Sequence, residues 1–135
     1  MKTVKSILFS AVLFLVLSVL VSAQSDAKVI AVVNKADWCS VCKANGDRAM
    51  AAFMSNNKDM SVLFLGNNVT DDKTEKKSAE ELKKYGLDKE MEKHTGTGVA
   101  YFFDAKTKKL VNEISVAEPD NKLAEALVNA KKDVN

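Results

Sequence analysis

The chain has 135 residues, 47% of them hydrophobic and 28% charged, which suits one folded domain and excludes wholesale disorder. Twenty Lys plus Arg face 18 Asp plus Glu, and both surplus cations, Lys2 and Lys5, lie in the first five residues, so from Gln24 onward the balance is 18 against 18. That neutrality argues against nucleic acid as a partner, because phosphate binding needs a basic face that displaces counterions. Two cysteines and one histidine exclude a four-cysteine zinc site, a disulfide-dense scaffold and any triad or metal site that requires two histidines.

A short basic start, an almost unbroken apolar run over 7–21 and the small residues Val21-Ser22-Ala23 read as a secretory signal peptide, residues 1–23, cut after Ala23. The run is shorter than the roughly 20 residues of a spanning helix, and an uncleaved membrane anchor is the alternative. Export, to a periplasm or the medium, places the two cysteines in an oxidising compartment. Residues 24–135 form the expected domain.

Residues 28–34 (KVIAVVN) lack helical spacing and predict a strand buried on both faces. Over 40–55, Cys42, Ala49 and Phe53 share one side at helical spacing, which predicts an amphipathic helix; Gly46 weakens its interior. Residues 61–65 (SVLFL) predict a second strand, ended by Gly66-Asn67-Asn68, and the strand–helix–strand order predicts a right-handed parallel crossover. A charged loop or helix start over 71–77 leads into a helix over 78–85, stopped by Gly86. Leu87, Met91 and His94 add a helical turn or two before Thr95-Gly96-Thr97-Gly98. Residues 99–104 and 109–116 predict an antiparallel hairpin. Glu118-Pro119-Asp120 opens a closing helix, with fraying expected over 131–135.

The chemistry concentrates at Trp38-Cys39-Ser40-Val41-Cys42, between the first strand and the first helix. A cysteine where a helix begins meets unpaired backbone N–H groups and the positive end of the helix dipole, which favour a thiolate. Cys39 is therefore the expected nucleophile. Cys42, one turn inside and on the core side, is the expected resolving thiol that attacks a mixed disulfide formed at Cys39. A purely structural disulfide is the competing reading, but closing so short a loop removes little unfolded-chain entropy.

The order βαβ, helix, ββα, with Ala36-Asp37-Trp38-Cys39-Ser40-Val41-Cys42-Lys43 at the first helix, resembles the thioredoxin-like superfamily: an α/β fold with a central mixed sheet flanked by helices. The same string and Asn68-Val69-Thr70-Asp71-Asp72 are most similar to the C-terminal domain of DsbD-type thiol:disulfide interchange proteins. The resemblance implies exchange between protein dithiols and disulfides, without metal or organic cofactor, by a monomer that a membrane electron donor keeps reduced. It also implies substrate contacts from Thr97 and Gly98 in the loop before the third strand, while Trp38 beside Cys39 reads either as a flat substrate-facing surface or as a half-buried packing residue.

Two positions depart from the family pattern. Val33 stands six residues before Cys39, where the family buries an acid that moves the resolving thiol's proton. Thr97-Gly98-Val99 replaces the loop with the cis-proline; without proline a cis bond costs about 2.5–4 kcal/mol, so a trans and more mobile loop is expected. Lys35, Asp37 and Lys43 read as solvated surface around the pair. His94 admits a reading from another class, a Cu(I)-delivery module using Cys39, Cys42 and His94, against a plain role at a helix end. Val33 and the missing proline admit a third, a binding module of the same fold without catalysis.

Overall fold

The computed structural model describes residues 26–134. Eight elements follow in the order β1 (Val29–Lys35), α1 (Ser40–Ser55), β2 (Val62–Asn68), α2 (Asp72–Lys84), α3 (Asp88–Met91), β3 (Val99–Asp104), β4 (Leu110–Ser115) and α4 (Asp120–Asp133). The sheet order is β2-β1-β3-β4. β1 pairs with β2 in parallel and with β3 antiparallel, and β3–β4 is an antiparallel pair with a register shift at Phe102/Phe103. The expected α/β plan is therefore present.

Both faces of the sheet are covered, which explains why β1 and β3 are apolar without alternation. Val29, Ala31, Ala100 and Phe102 pack with Ala49 and Phe53 of α1 and Leu123 and Leu127 of α4. Ile30, Val32, Tyr101 and Phe103 face Leu82, Leu87 and Met91 on the opposite side. Phe53 centres the first layer, its ring 5.4 Å from Phe64 and 5.8 Å from Phe102; aromatic pairs of this kind add about 0.5–1.5 kcal/mol beyond area burial.

Three boundaries are set by contacts beyond the local pattern, each for a physical reason. β2 continues through Gly66-Asn67-Asn68 because Asn67 lies in register with Asn34 and donates from Nδ2 to Asn34 Oδ1 at 2.8 Å, so a buried polar residue is satisfied inside the sheet. α2 starts at Asp72, so the charged stretch over 71–77 is the helix start and not a loop. A reciprocal cap closes it: the Thr74 N–H donates to Asp71 Oδ1 at 2.8 Å and the Asp71 N–H to Thr74 Oγ1 at 3.1 Å, which satisfies donors that a helix start leaves open.

The C-terminal end does not fray at 131. α4 runs to Asp133 and Val134 is buried, because Lys131 Nζ reaches Asn56 O at 3.0 Å and Asp59 Oδ1 at 2.9 Å beyond the end of α1. The Lys131 hydrogen bond, against a smaller opposing effect of burial and with help from Ser61, lowers the Asp59 carboxyl to about 2. A carboxyl depressed in the folded state contributes stability above its unfolded value, near 4, and loses it as pH falls through about 2. In Lys131→Met the Asp59 carboxyl is expected to titrate back in the ordinary range, measured by carbon-detected NMR; an unchanged midpoint would disprove the clamp.

Candidate active site

β1 delivers the chain to the start of α1, and the two cysteines occupy the first turn. Cys39 is the N-cap, with extended backbone (φ −81°, ψ 106°), and its Sγ accepts the Cys42 N–H at 3.2 Å. The sulfur thus takes the place of the oxygen that usually caps a helix. No acidic residue lies in that first turn, so no carboxylate within the turn offsets the helix dipole at the sulfur. Cys39 and Cys42 are joined as a disulfide, with Cα atoms 5.3 Å apart.

The accessibilities of the two sulfur-bearing residues differ from expectation. Cys39 is only 6% exposed, while Cys42 is half-buried and lines a cleft of about 480 Å³ between α1 and β2. Cys42 does share the side of Ala49 and Phe53, as its spacing predicts. One turn further on the cleft wall is Gly46, where a Cβ would meet nothing within 4 Å. With no side chain there, the space reaches back to Cys42. Val33, Met50 and Phe64 form apolar wall, and Lys35, Asp37, Lys43 and Asp47 bring mixed charge.

The approach to the cysteines is braced by the loop after β2. Thr70 Oγ1 accepts the Asp37 N–H at 2.9 Å, and the Thr70 carbonyl accepts Trp38 Nε1–H at 3.2 Å. Asn68 Oδ1 in turn holds Thr70 through its N–H and hydroxyl, at 3.0 and 2.6 Å. The ring of Trp38, 62% exposed, is therefore oriented at one edge and open to solvent. The Asn68-to-Asp72 string earns its place here, since it both positions Trp38 and caps α2.

The loop before β3 is trans and pinned. No cis peptide bond occurs among the described residues. Gly98 has φ +70°, a left-handed conformation that glycine adopts without strain, and a Cβ there would come within 3.0 Å of Val41 Cγ1. Its N–H donates to Asn34 O and its carbonyl accepts the Val116 N–H, both at 2.8 Å. Gly98 is buried and Thr97 half-buried. Gly98 thus supports Val41 beside the cysteines, with both backbone groups engaged internally, and the bond before it is trans, as expected without the proline.

Asn34, which sequence reading treated only as the end of a strand, organises this region. It is buried; its Nδ2 donates to His94 O at 2.7 Å and its Oδ1 accepts from Asn67. Its carbonyl oxygen holds Gly98 and lies 3.9 Å from Cys42 Sγ. The available signal was an Asn ending a run otherwise buried on both faces. The His94 imidazole packs tilted against Tyr101 and edge-on to Phe103, with centroids 4.9 and 5.7 Å away, and no group of three or more His, Cys, Asp or Glu side chains placed to hold a metal occurs among the described residues. Tyr101, whose phenol burial pushes up despite the Gly96 N–H that it accepts, steadies the same loop.

Three solved structures are similar to this chain in fold. DsbH oxidoreductase aligns with a TM-score of 0.53 at 21% identity, over 76% of this chain and 74% of its own. Trxlp from Edwardsiella tarda gives 0.51 at 16% identity over 78% and 86%. Thioredoxin from Fasciola hepatica gives 0.51 at 18% identity over 80% and 86%. The fold is thioredoxin-like. No protein-family model matches the sequence, and no curated protein matches it either. These three structures do not single out the DsbD-type domain that the cysteine string resembles. Within the thioredoxin-like frame, Val33 lines the cleft beside Cys42 with an apolar side chain, and Gly98 precedes β3.

Proposed function

We propose that the protein is an exported thiol:disulfide oxidoreductase that cycles Cys39 and Cys42 between disulfide and dithiol against cysteine pairs of other proteins. The carrying observation is the disulfide at the start of α1 with the Cys42 N–H on Cys39 Sγ: the bond that breaks on reduction releases a sulfur already hydrogen-bonded as an anion would be. With Val33 offering no acid, proton exchange at the pair runs through water or another group of the cleft, whose wall carries the carboxylates of Asp37 and Asp47. Trp38 offers an exposed flat surface beside the pair for a protein substrate.

Export rests on residues 1–23, which lie outside the described residues, and places the domain in a periplasm or the medium. Among the described residues no helix is long and apolar enough to cross a membrane. A monomer fed by a membrane electron donor is the working form that the resemblance to DsbD-type domains supports. Amino-terminal sequencing of the exported protein is expected to begin at Gln24.

Equilibration with glutathione buffers tests the function. Exchange couples fall at roughly −270 to −120 mV, whereas structural disulfides sit below about −300 mV. The pair is expected in the first range. A value in the second would make it a clamp and overturn the reading.

A further inference from the structure

The sheet order β2-β1-β3-β4 makes β2 an edge strand, and an edge strand presents backbone groups that another chain can pair. Along a strand these groups turn alternately to either side. Ser61 O accepts the Val29 N–H and the Val69 N–H donates to Lys35 O, so the odd-numbered residues of β2 face β1, while Val62, Phe64, Gly66 and Asn68 face outward. Both ends of the outer edge are closed by side chains. Asn57 stands in for a neighbouring strand at Val62, donating to its carbonyl at 2.7 Å and accepting its N–H at 3.1 Å. Ser78 Oγ does the same at Asn68, accepting its N–H at 2.9 Å and donating to its carbonyl at 3.4 Å. Between these caps the N–H and carbonyl of Phe64 and of Gly66 meet no partner among the described residues. Four open groups in this order match three residues of an extended antiparallel chain, whose first and third residues would each exchange a pair of hydrogen bonds.

We propose, resting on the exchange reading, that this open stretch of β2 binds an extended segment of the substrate protein by strand addition, with an acidic residue opposite Gly66. Continuity with the cysteine pair argues for a substrate, since Lys35, Phe64, Leu65 and Gly66 line the same cleft as Cys42. Charge selects the residue. Gly66 is exposed, and a Cβ there would stand 3.7 Å from Lys35 Cε and 4.0 Å from Lys35 Nζ. Lys35 is exposed and makes no ion pair among the described residues, so a carboxylate laid over Gly66 supplies its counterion. Two positions along the segment, a β-branched residue opposite Phe64 completes a favourable cross-strand pair. A second copy of this chain fits the edge poorly. Paired antiparallel about Leu65, it would set Val62 of one copy opposite Asn68 of the other, and the Asn57 and Ser78 side chains would have to share one interstrand gap of about 4.8 Å. A free segment turns away from the edge before it reaches either cap.

The test titrates the oxidised, exported protein, labelled with nitrogen-15, with the peptides TVETVTS and TVKTVTS. The glutamyl peptide is expected to move the Phe64 and Gly66 amide protons downfield and slow their exchange with solvent, with little change at Val62 and Asn68, whose N–H groups are already bonded. It should bind about threefold more tightly than the lysyl peptide, and Lys35→Glu should reverse that preference. Gly66→Pro removes one outward N–H without touching the ladder to β1, and should weaken binding by about tenfold. Exchange is read separately with TVETVTC, whose sulfur bonds to one cysteine of the pair while the other leaves as a thiolate. If the protein exchanges with TVETVTC but shows no change at Phe64 and Gly66, the edge is overturned and exchange stands. If TVETVTS binds at the edge but TVETVTC reacts no faster than with an unstructured oxidised peptide of the sequence WCSVCK, exchange is overturned, and the substrate role of the edge with it. A preference that survives Lys35→Glu overturns the acidic segment, and a doubled mass in light scattering that Gly66→Pro abolishes makes the occupant a second copy instead.

Discussion

Replacing either cysteine by serine is expected to reduce catalysed insulin disulfide reduction by on the order of 10³-fold or more, because the second step loses its intramolecular thiol. Groups held together react at effective concentrations of about 10⁵ M and above, which a free thiol at millimolar concentration does not approach. The loss should be nearly equal for Cys39→Ser and Cys42→Ser, since each removes the pair. Stability should change far less. The bridge spans a sequence separation of 3, and closing so short a loop contributes about 2 kcal/mol at most by chain entropy. Cys39→Ser also keeps an N-cap, with an oxygen replacing the sulfur that now receives the Cys42 N–H. The measurement is turnover by each variant at equal folded fraction, checked by circular dichroism. If a single-serine variant kept more than about a tenth of parental turnover, the rate would not arise from the pair acting as a unit.

The parts of this molecule that were readable in advance depend on local pattern. β3 and α1 match their expected bounds, because VAYFFD is apolar on both faces and the helix from Ser40 carries its core residues at regular spacing. The position of the cysteine pair at a helix start followed from the same spacing. What stayed hidden depends on contacts between distant residues. Asn34 and Asn67 read as punctuation when each is taken alone; only the register that pairs them 33 residues apart makes them a buried hydrogen-bonded couple. Lys131 looked like a loose end because its partners, Asn56 and Asp59, lie beyond the end of another helix. The Asp71–Thr74 cap is local but departs from the usual pattern, since Thr rather than Glu or Gln closes it. That Cys42 is half-buried beside a cleft could not be read from helical spacing, because residues of β1 and β2 line that cleft together with α1.

The buried asparagines carry the largest expected effect on stability near the site. Asn34→Ala removes the donor to His94 O and the acceptor for Asn67 Nδ2, and each orphaned buried group costs about 1–3 kcal/mol. Urea unfolding should show a loss of that size for each partner, and a double cycle with Asn67→Ala should show the two changes to be strongly non-additive. A loss within about 0.5 kcal/mol, typical of an inert surface position, would mean that the network does not hold the loop. Asn34→Asp separates charge from shape. The protonated acid can still donate to His94 O and accept from Asn67, whereas the carboxylate has no proton to give and is buried, so the folded-state pKa rises above the unfolded value of about 3.9. The folded protein then binds more protons than the unfolded one, and stability must fall as pH rises through and beyond about 4. Near neutral pH the Asp variant should therefore be less stable than the parent and should recover relative to it on acidification. The opposite slope would place the 34 side chain in water rather than between two strands and a loop. Because the Asn34 carbonyl also holds Gly98 and approaches Cys42, the same variant should shift the Cys39–Cys42 equilibrium against glutathione, which a change in stability alone would not do.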